Sequence, residues 1–221
     1  MTEDEIRIAL VDDQELVRMG LRMMLEAQAD VEVVAECADG AEAVARARRG
    51  GVDVMLMDVR MPRLDGIRAT ELITSAENGP RVLVLTTFDL DEHAFAALRA
   101  GASGFLLKDA RPAELLTAIR AVHRGDAALS PRVAARMIEA FVETPARGEA
   151  TEDPRLGSLT PREREILVAV GEGLTNDELA ARLVVSVSTV KTHIGRLLQK
   201  LEARDRVQLV ILAHEWGLVG R

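Results

Sequence analysis

Several features of secreted and membrane proteins are missing from this chain. Cys37 is the only cysteine among 221 residues, which excludes an internal disulfide and a cysteine-ligated metal site, so we interpret it as a small apolar residue at a strand end. No apolar stretch approaches the roughly 20 residues that a membrane-spanning helix needs. The N-terminal sequence MTEDEIRI is acidic and lacks the pattern of a signal peptide. These absences predict a cytoplasmic protein that has no membrane partner.

The negative charge of the chain is unevenly distributed. The formal net charge is −8, but residues 157–221 contain 9 Lys or Arg against 8 Asp or Glu, a net of +1, whereas residues 1–156 carry −9. An acidic body joined to a near-neutral segment indicates two modules with different partners. The length of 221 residues accommodates two ordinary domains.

Short apolar runs alternate with amphipathic segments over the first 124 residues. The five runs are Ile6–Val11, Val31–Cys37, Val52–Met57, Val82–Thr86 and Gly104–Leu107. Between the first two runs, Glu15–Ala27 has helical periodicity. The apolar residues on one side of this segment are Leu16, Met19, Gly20, Met23 and Met24. Five strands that alternate with helices predict a doubly wound, parallel sheet with right-handed crossovers.

Polar residues stand at the carboxyl ends of four of these runs. They are Asp12 and Asp13 after the first run, Asp58 after the third, Thr86 and Thr87 at the fourth, and Lys108 after the fifth. Ligands of parallel sheets bind just outside the carboxyl ends of the strands. Three carboxylates brought together repel one another unless a cation joins them, and Mg²⁺ is a hard cation that takes oxygen ligands. The pattern predicts a site for a divalent metal ion and a phosphoryl group, with a carboxylate as nucleophile.

Each of these residues also has a simpler interpretation. A single aspartate such as Asp12 or Asp13 is most often a helix N-cap, Asp58 alone could cap a loop, and Lys108 alone is usually a solvated charge. Their joint occurrence at successive strand ends favours the metal and phosphoryl site.

Residues 5–124 resemble the receiver domain of two-component systems. The matching motifs are Asp12-Asp13, Asp58 followed by Met61-Pro62-Arg63-Leu64-Asp65-Gly66, Thr86, and Gly104-Phe105-Leu106-Leu107-Lys108. The resemblance implies a flavodoxin-like, five-stranded parallel sheet in the order 2-1-3-4-5. It also implies that Asp58 accepts a phosphoryl group from the phosphohistidine of a sensor histidine kinase. Mg²⁺ would be bound directly by Asp13, by Asp12 chiefly through water, and by the backbone carbonyl of Arg60.

The resemblance assigns roles to three further residues and has one departure. Lys108 would pair with the acids and then with the phosphoryl group, and Thr86 and Phe105 would form the switch pair, although Phe105 also suits simple core packing. Many receivers have a proline after this lysine, often following a cis peptide. This chain has Asp109 there, and its proline comes later, at Pro112. Because a cis bond before a residue other than proline costs about 2.5–4 kcal/mol, the isomer of the bond after Lys108 stays open.

Residues 125–156 have a weaker pattern. Arg132–Val142 fits one helix, with Ser130 as its cap and Pro131 at its first position. The segment Thr144–Gly157 holds two prolines and two glycines among acids and predicts an exposed linker. The predicted domains are therefore residues 1–124 and 157–221, joined by a helix and linker at 125–156.

The C-terminal module is predicted to be all-helical. Its four predicted N-caps, two of them in capping boxes, are Thr160 with Glu163, Thr175 with Glu178, Ser186, and Asp205. The third helix runs to about Leu201 and has one apolar face, and no acid falls between Ser186 and Lys200. The fourth helix ends near Trp216.

Four short helices, one with a basic outward face, predict a helix-turn-helix module for DNA. Its second helix would be Asn176–Leu183 and its turn Val184–Val185, and its third helix would enter the major groove. A helical bundle for protein contacts is the alternative, because the net charge of the module is only +1.

Three stretches of the module resemble a LuxR-type helix-turn-helix: LTPRERE from Leu159, GLTNDELA from Gly173 and STVKTHI from Ser188. Together with the receiver, they resemble the NarL/FixJ class of response regulators. The resemblance implies that Lys191 and Thr192 face DNA. Weaker candidates, for phosphate contacts, are Thr189, Arg196 and Gln208. Gly195 falls on the same surface without a side chain, which leaves a third base contact open.

The fourth helix has more apolar surface than a small bundle needs. The residues predicted to form a dimer contact are Val210, Ile211, His214 and Trp216, with core packing as the alternative. Two-fold helix-turn-helix proteins bind half-sites that are about 10–10.5 bp apart.

The leading hypothesis is a transcription regulator that phosphorylation of Asp58 converts to a homodimer on double-stranded DNA. One alternative is an Mg²⁺-dependent phosphatase with an aspartyl nucleophile, but such enzymes usually carry a general acid two residues after the nucleophile, where this chain has Arg60. The other alternative is a DNA-binding regulator that needs no phosphorylation. On the leading hypothesis the chain is not an enzyme beyond slow self-dephosphorylation.

Overall fold

The computed structural model describes residues 5–76, 79–86, 92–126, 128–129 and 153–219. The chain forms two compact units, Met1–Val133 and Ala134–Arg221. Thr87, the predicted helix at Arg132–Val142 with Ser130 and Pro131, and most of the predicted linker lie outside the described residues.

The first unit is built on a parallel β-sheet. Its strands are β1 (Ile6–Val11), β2 (Val31–Cys37), β3 (Val54–Asp58), β4 (Arg81–Thr86), β5 (Gly104–Leu107) and β6 (Ala128–Leu129). Its helices are α1 (Glu15–Glu26), α2 (Gly40–Arg48), α3 (Gly66–Thr74), α4 (Glu92–Arg99) and α5 (Pro112–Arg124). The strands lie in the order β2-β1-β3-β4-β5-β6, so the predicted order 2-1-3-4-5 is confirmed. The short β6, which pairs in parallel with β5, was not predicted because two residues leave no periodic signal.

The central strands β3 and β4 are apolar except at their ends, because both faces of the sheet are covered. Every residue of β3 is buried, and so is every residue of β4 except Arg81. One face packs against apolar residues of α1 and α5, among them Leu25, Leu115 and Ile119. β3 begins at Val54, two residues later than its apolar run.

The apolar residues of α1 that the sequence groups on one side are largely exposed. Leu16, Met19 and Met23 are 79%, 49% and 69% exposed. Met24 is the member of that group that packs, partly buried, on the core, together with the fully buried Leu25 and the partly buried Leu21. Periodicity identifies the sides of a helix, but contacts that are distant in sequence decide which side faces the sheet.

The loop between β3 and α3 is held very close to the strand. The Gly66 N–H donates to the Val59 carbonyl over 2.9 Å. A Cβ atom added at Gly66 would lie only 1.8 Å from the carbonyl oxygen of Asp58, so no side chain is tolerated there without a backbone shift. Arg63 of the same loop forms an ion pair with Asp39, the buried N-cap of α2.

The second unit is helical. Its described helices are α6 (Pro154–Gly157), α7 (Pro161–Gly171), α8 (Asn176–Leu183), α9 (Val187–Lys200) and α10 (Arg206–Glu215). The four predicted N-caps, including both capping boxes, are confirmed. The prediction of an exposed linker is wrong for its last four residues, because Pro154–Gly157 forms the short helix α6. Arg155 of α6 donates to the carbonyl of Leu201 over 3.1 Å and lies 5.7 Å from the ring centre of Trp216, which attaches this segment to the helical unit.

Glu163 joins the start of α7 to the end of α9. Its Oε2 atom accepts hydrogen bonds from the Thr160 N–H and hydroxyl, both at 2.9 Å, and from Lys200 Nζ at 2.7 Å. Glu163 is only 6% exposed. The Lys200 ammonium, assisted by the Thr160 N–H, lowers the pKa of Glu163 from 4.5 to about 2.

None of the described helices combines the length and the apolar character that a bilayer crossing requires.

Replacing Gly66 by alanine should destabilise the first unit by about 1–3 kcal/mol, because the new methyl group displaces the backbone of Asp58. Urea unfolding followed by far-ultraviolet circular dichroism measures the change. The matched control is Gly20→Ala in α1, where the added Cβ meets no atom within 4 Å outside the helix's own backbone and the neighbouring residues; this variant should gain about 0.5–1 kcal/mol. Equal stability of the two variants would contradict the close approach.

Glu163→Gln should lower the stability of the second unit by about 2 kcal/mol at pH 7, because the charged hydrogen bond to Lys200 is lost. A carboxyl whose pKa is depressed on folding stabilises fully above its unfolded pKa, about 4.5, and loses that contribution as pH falls through its folded pKa, about 2. The difference between wild type and variant should therefore shrink between these pH values. Urea unfolding followed by the fluorescence of Trp216, which packs on this core, measures it.

The control for this variant is Glu178→Gln, which alters the equivalent capping box of α8. Glu178 bonds Thr175 at an exposed position, so its replacement should have a much smaller effect. A Glu163→Gln effect that does not change with pH would contradict the role of the charge.

Candidate functional site: an acidic pocket and an exposed helix

The strand order brings the predicted polar residues to one edge of the sheet. Strands β1, β3, β4 and β5 are consecutive neighbours and parallel, so their carboxyl ends meet. Asp58 is the last residue of β3 and Thr86 the last of β4. Asp12 directly follows β1, and Lys108 directly follows β5.

Three carboxylates form a pocket at this edge. Asp12, Asp13 and Asp58 each offer a carboxylate oxygen, and these atoms lie within 4.8 Å of one another. Asp12 and Asp58 are 2% and 6% exposed, whereas Asp13 is exposed. Two buried acids with a third at the surface make a site that is anchored in the protein and open to solvent on one side.

Lys108 neutralises part of this negative charge. Its Nζ atom lies 2.5 Å from Asp12 Oδ2 and 3.0 Å from Asp58 Oδ2. Its backbone N–H donates to the carbonyl of Thr86 over 2.7 Å, which fixes the base of the side chain beside β4. No peptide bond in the described residues is cis, so the Lys108–Asp109 bond is trans.

The titration of the pocket reflects burial and charge together. Burial raises the pKa of Asp58; Lys108 opposes this shift, and Asp12 adds to it. Burial alone would lower the pKa of Lys108, but its hydrogen bonds to Asp12 and Asp58 outweigh that effect and raise the pKa. Asp58 is thus a carboxylate whose negative charge is incompletely compensated by its surroundings.

The donor set is chemically suited to a small, hard cation. Three carboxylates supply oxygen ligands, and Mg²⁺ needs few protein ligands because it retains several waters. Lys108 supplies one positive charge for three acids, so a divalent ion would complete the charge balance. Arg60, whose carbonyl is the remaining predicted ligand, lies in the loop after β3 with its side chain exposed.

The predicted switch residues lie on adjacent strands. Thr86 is 3% exposed and Phe105 is fully buried. The register pairs Thr86 with Leu107 and Val84 with Phe105, so the two residues stand two positions apart along the β4–β5 pair. Phe105 therefore contributes to the core whatever its role in switching.

Sequence reasoning missed the residues that orient Asp12. Its Oδ1 atom accepts a hydrogen bond from the Gln14 N–H at 2.9 Å, and its carbonyl oxygen accepts one from Arg18 Nη1 at 2.7 Å. The sequence contains no local signal for the second contact, because it depends on how α1 lies against β1.

The second unit contains the predicted helix-turn-helix. α8 has its predicted bounds, and α9 begins at Val187 after the cap Ser186. Val184 in the turn has the left-handed conformation, with φ of 53°, and is 90% exposed.

One side of α9 is anchored in the core, and the other is open. Val190, Ile194 and Leu197 are buried. Of the predicted DNA contacts, Lys191, Thr192 and Arg196 are exposed, whereas Thr189 and Gln208 are half-buried. The exposed side carries positive charge and hydroxyl groups without an acid, which is typical of a surface for phosphates and base edges.

The predicted dimer residues differ in their surroundings. Ile211 of α10 is only 4% exposed, and α10 packs on the apolar core of its unit through Leu209 and Ala213. Val210 and Trp216 are partly buried against the same core. His214 is half-buried, and its Nε2 atom lies 3.1 Å from the carbonyl oxygen of Gly171. The dimer contact therefore stays a prediction for all four residues.

Comparison with known proteins covers both units. The family described as response regulator receiver domain matches residues 8–120, and the family described as bacterial regulatory proteins, luxR family, matches residues 157–213. The chain is 46% identical over 220 residues to the uncharacterized transcriptional regulatory protein YxjL of Bacillus subtilis (strain 168), covering 99% of this chain and all of that protein. It is 42% identical to the transcriptional regulatory protein LiaR of the same organism, covering 97% and 99% of the two chains.

Two solved structures to which the chain is similar are also response regulators. The crystal structure of the response regulator ChrA of a heme-sensing two-component system aligns with a TM-score of 0.53 at 38% identity, over 98% of this chain and all of that chain. A LuxR-family two-component response regulator from Aurantimonas sp. SI85-9A1 aligns with a TM-score of 0.58 at 40% identity, over 63% of this chain and 99% of that chain. The chain belongs to the two-component response regulators of the LuxR (NarL/FixJ) class, in which a receiver domain is joined to a DNA-binding helix-turn-helix.

Proposed function

We propose that Asp58 is the phosphoacceptor of this response regulator and that its phosphorylation by a sensor histidine kinase controls DNA binding by α9. The observation that carries the proposal is the position of Asp58: a buried carboxylate at a strand end, 3.0 Å from the ammonium of Lys108 and beside two further acids. We propose residues 1–124 as the receiver, 157–221 as the DNA-binding domain and 125–156 as their connection.

Asp12, Asp13 and Asp58 would hold an Mg²⁺ ion, with the carbonyl of Arg60 as a further ligand. Both carboxylate oxygens of Asp12 already accept hydrogen bonds, from Gln14 and Lys108, which favours contact of Asp12 with the ion through water. The exposed Asp13 is better placed for direct binding. The bound ion would supply positive charge for the oxygens of the incoming phosphoryl group.

In the proposed transfer, a carboxylate oxygen of Asp58 forms a bond to phosphorus as the N–P bond of phosphohistidine breaks. The departing imidazole nitrogen takes up a proton from solvent. Lys108 exchanges its bond to Asp58 for one to a phosphoryl oxygen, and the hydroxyl of Thr86 donates to another. Phosphorylation adds about −1.5 to −2 charges, which Lys108 and Thr86 would partly balance. In response, Thr86 and Phe105 would shift the surface formed by β4 and β5.

The residue two positions after Asp58 argues against a phosphatase. A phosphatase with an aspartyl nucleophile needs a nearby general acid, and the position two residues after Asp58 is occupied by Arg60, a permanent cation. The phosphorylated state would therefore persist until it hydrolyses slowly, as a signal requires.

We propose that the exposed side of α9 lies in the major groove of double-stranded DNA. Lys191 and Thr192, both exposed, would reach base edges, and Thr189, Arg196 and Gln208 would contact phosphates. Phosphorylation would favour a homodimer that uses Val210, Ile211, His214 and Trp216 and binds two half-sites.

The proposal predicts that phosphorylation tightens DNA binding about tenfold. The full chain is titrated onto a DNA duplex, selected by the phosphorylated chain from a random-sequence library, with and without acetyl phosphate and Mg²⁺. Wild type should respond to the donor, whereas Asp58→Asn should keep the affinity of the untreated chain. Equal affinities of both proteins under both conditions would exclude the switch and favour a regulator that needs no phosphorylation.

Lys191→Gln is the control for the output. This variant keeps the phosphorylation site and should weaken binding in both states, because one cationic contact of α9 is lost. If Lys191→Gln binds as tightly as wild type, the DNA surface lies elsewhere.

A further inference from the structure

Helix α1 contacts Asp12 at two separate points. The first is local: the Gln14 N–H, at the start of the helix, donates to Asp12 Oδ1 over 2.9 Å. The second comes from one turn further along, where Arg18 Nη1 donates to the carbonyl oxygen of Asp12 over 2.7 Å. α1 therefore constrains both the side chain and the backbone of this acid.

The carbonyl that Arg18 binds belongs to the peptide group between Asp12 and Asp13. A peptide group is planar, so fixing its oxygen fixes the direction in which the chain leaves Asp12 and enters Asp13. The positions of both carboxylates relative to Asp58 depend on that direction. A donor at this oxygen thus acts on two of the three acids at once.

Arg18 is itself held by strand β2. Its Nε atom donates to Glu36 Oε2 over 3.2 Å, and its side chain is only 14% exposed. Glu36 precedes Cys37, whose carbonyl accepts the Asp12 N–H over 3.2 Å. These contacts close a ring that runs from Asp12 through Arg18 and Glu36 along β2 and back to Asp12.

We propose that Arg18 is a positioning residue for the metal ion: it holds the Asp12–Asp13 peptide in the orientation that lets both acids face Asp58. This inference rests on the proposed function, because it assigns Arg18 a role in the same Mg²⁺ site. Residues outside the ligand set that orient the ligands typically change metal affinity about 10–100-fold when replaced.

The shape of the guanidinium group explains why arginine is needed. Nε and Nη1 are two donors in one rigid plane, so a single side chain satisfies the Asp12 carbonyl and Glu36 together. The ammonium of lysine is a compact point charge on a flexible chain and does not reproduce this planar, two-point contact.

Positioning and simple electrostatics predict opposite outcomes. If Arg18 acted only as a positive charge near the pocket, its removal would strengthen Mg²⁺ binding, because one repulsive charge would be lost. If Arg18 orients the acids, its removal weakens binding. The sign of the change therefore separates the two explanations.

Arg22 provides a matched control. It lies one turn further along α1 and also pairs with Glu36, at 2.6 Å, but its other partner is Glu26 and not Asp12. Arg22→Gln removes the same charge and a contact to the same glutamate while leaving the bond to the Asp12 carbonyl intact.

The test is isothermal titration calorimetry, in which the full chain is titrated with Mg²⁺ alone. Arg18→Gln should bind Mg²⁺ about tenfold more weakly than wild type. Arg18→Lys should bind with intermediate affinity, because it retains one donor, and Arg22→Gln should stay within about twofold of wild type. Urea unfolding of each variant shows that it is folded; if Arg18→Gln does not fold, Arg18→Lys carries the comparison with Arg22→Gln.

Unchanged or tighter binding by the folded Arg18 variant would overturn the inference, and so would an equal loss in Arg22→Gln, which would assign the effect to Glu36. These outcomes leave the proposed function intact as long as wild type binds Mg²⁺. Absence of Mg²⁺ binding by wild type would overturn both.

Discussion

The contact of the Lys108 ammonium with Asp12 and Asp58 is the interaction on which the acidic pocket depends. Parallel strands place three carboxylates at one sheet edge, where their negative charges repel one another and burial raises the pKa of Asp58. Lys108, which follows β5, compensates part of this negative charge. On the proposed function, the remaining negative charge would give the site affinity for a cation and, through the cation, for a phosphoryl group. If its own side chains neutralised the charge of the pocket completely, the site would have no net attraction for a cation or for a phosphoryl group.

The surroundings of the pocket hold this arrangement by backbone contacts. Because Gly66 has no side chain, the loop after β3 packs against the carbonyl of Asp58. Arg18 donates a hydrogen bond to the carbonyl of the peptide between Asp12 and Asp13. In the second unit a side-chain contact holds α9, whose end is joined to α7 by the hydrogen bond from Lys200 to Glu163. In both units, then, the groups proposed to meet phosphate or DNA are carried by elements that buried polar contacts hold in place.

Much of this could be predicted from the sequence, because the relevant signals are local. The apolar runs predict the strands, and the polar residues at their carboxyl ends predict the acidic pocket. The four cap residues predict where the helices of the second unit begin. The failures have a common cause: packing between segments that are distant in sequence. The exposed face of α1 and the hydrogen bond from Arg18 to the Asp12 carbonyl both depend on which neighbour the helix meets. The attachment of α6 through Arg155 and Trp216 is another such contact.

The central claim is that the three acids and Lys108 form a cation-dependent phosphoryl site at Asp58. It is tested most directly by fluorine nuclear magnetic resonance of the full chain with beryllofluoride, a mimic of the phosphoryl group. Wild type should show protein-bound fluorine signals when Mg²⁺ is present and lose them when it is removed, and Asp58→Asn should show none. Bound signals of equal strength in Asp58→Asn, or no bound signal in wild type with Mg²⁺, would contradict the account.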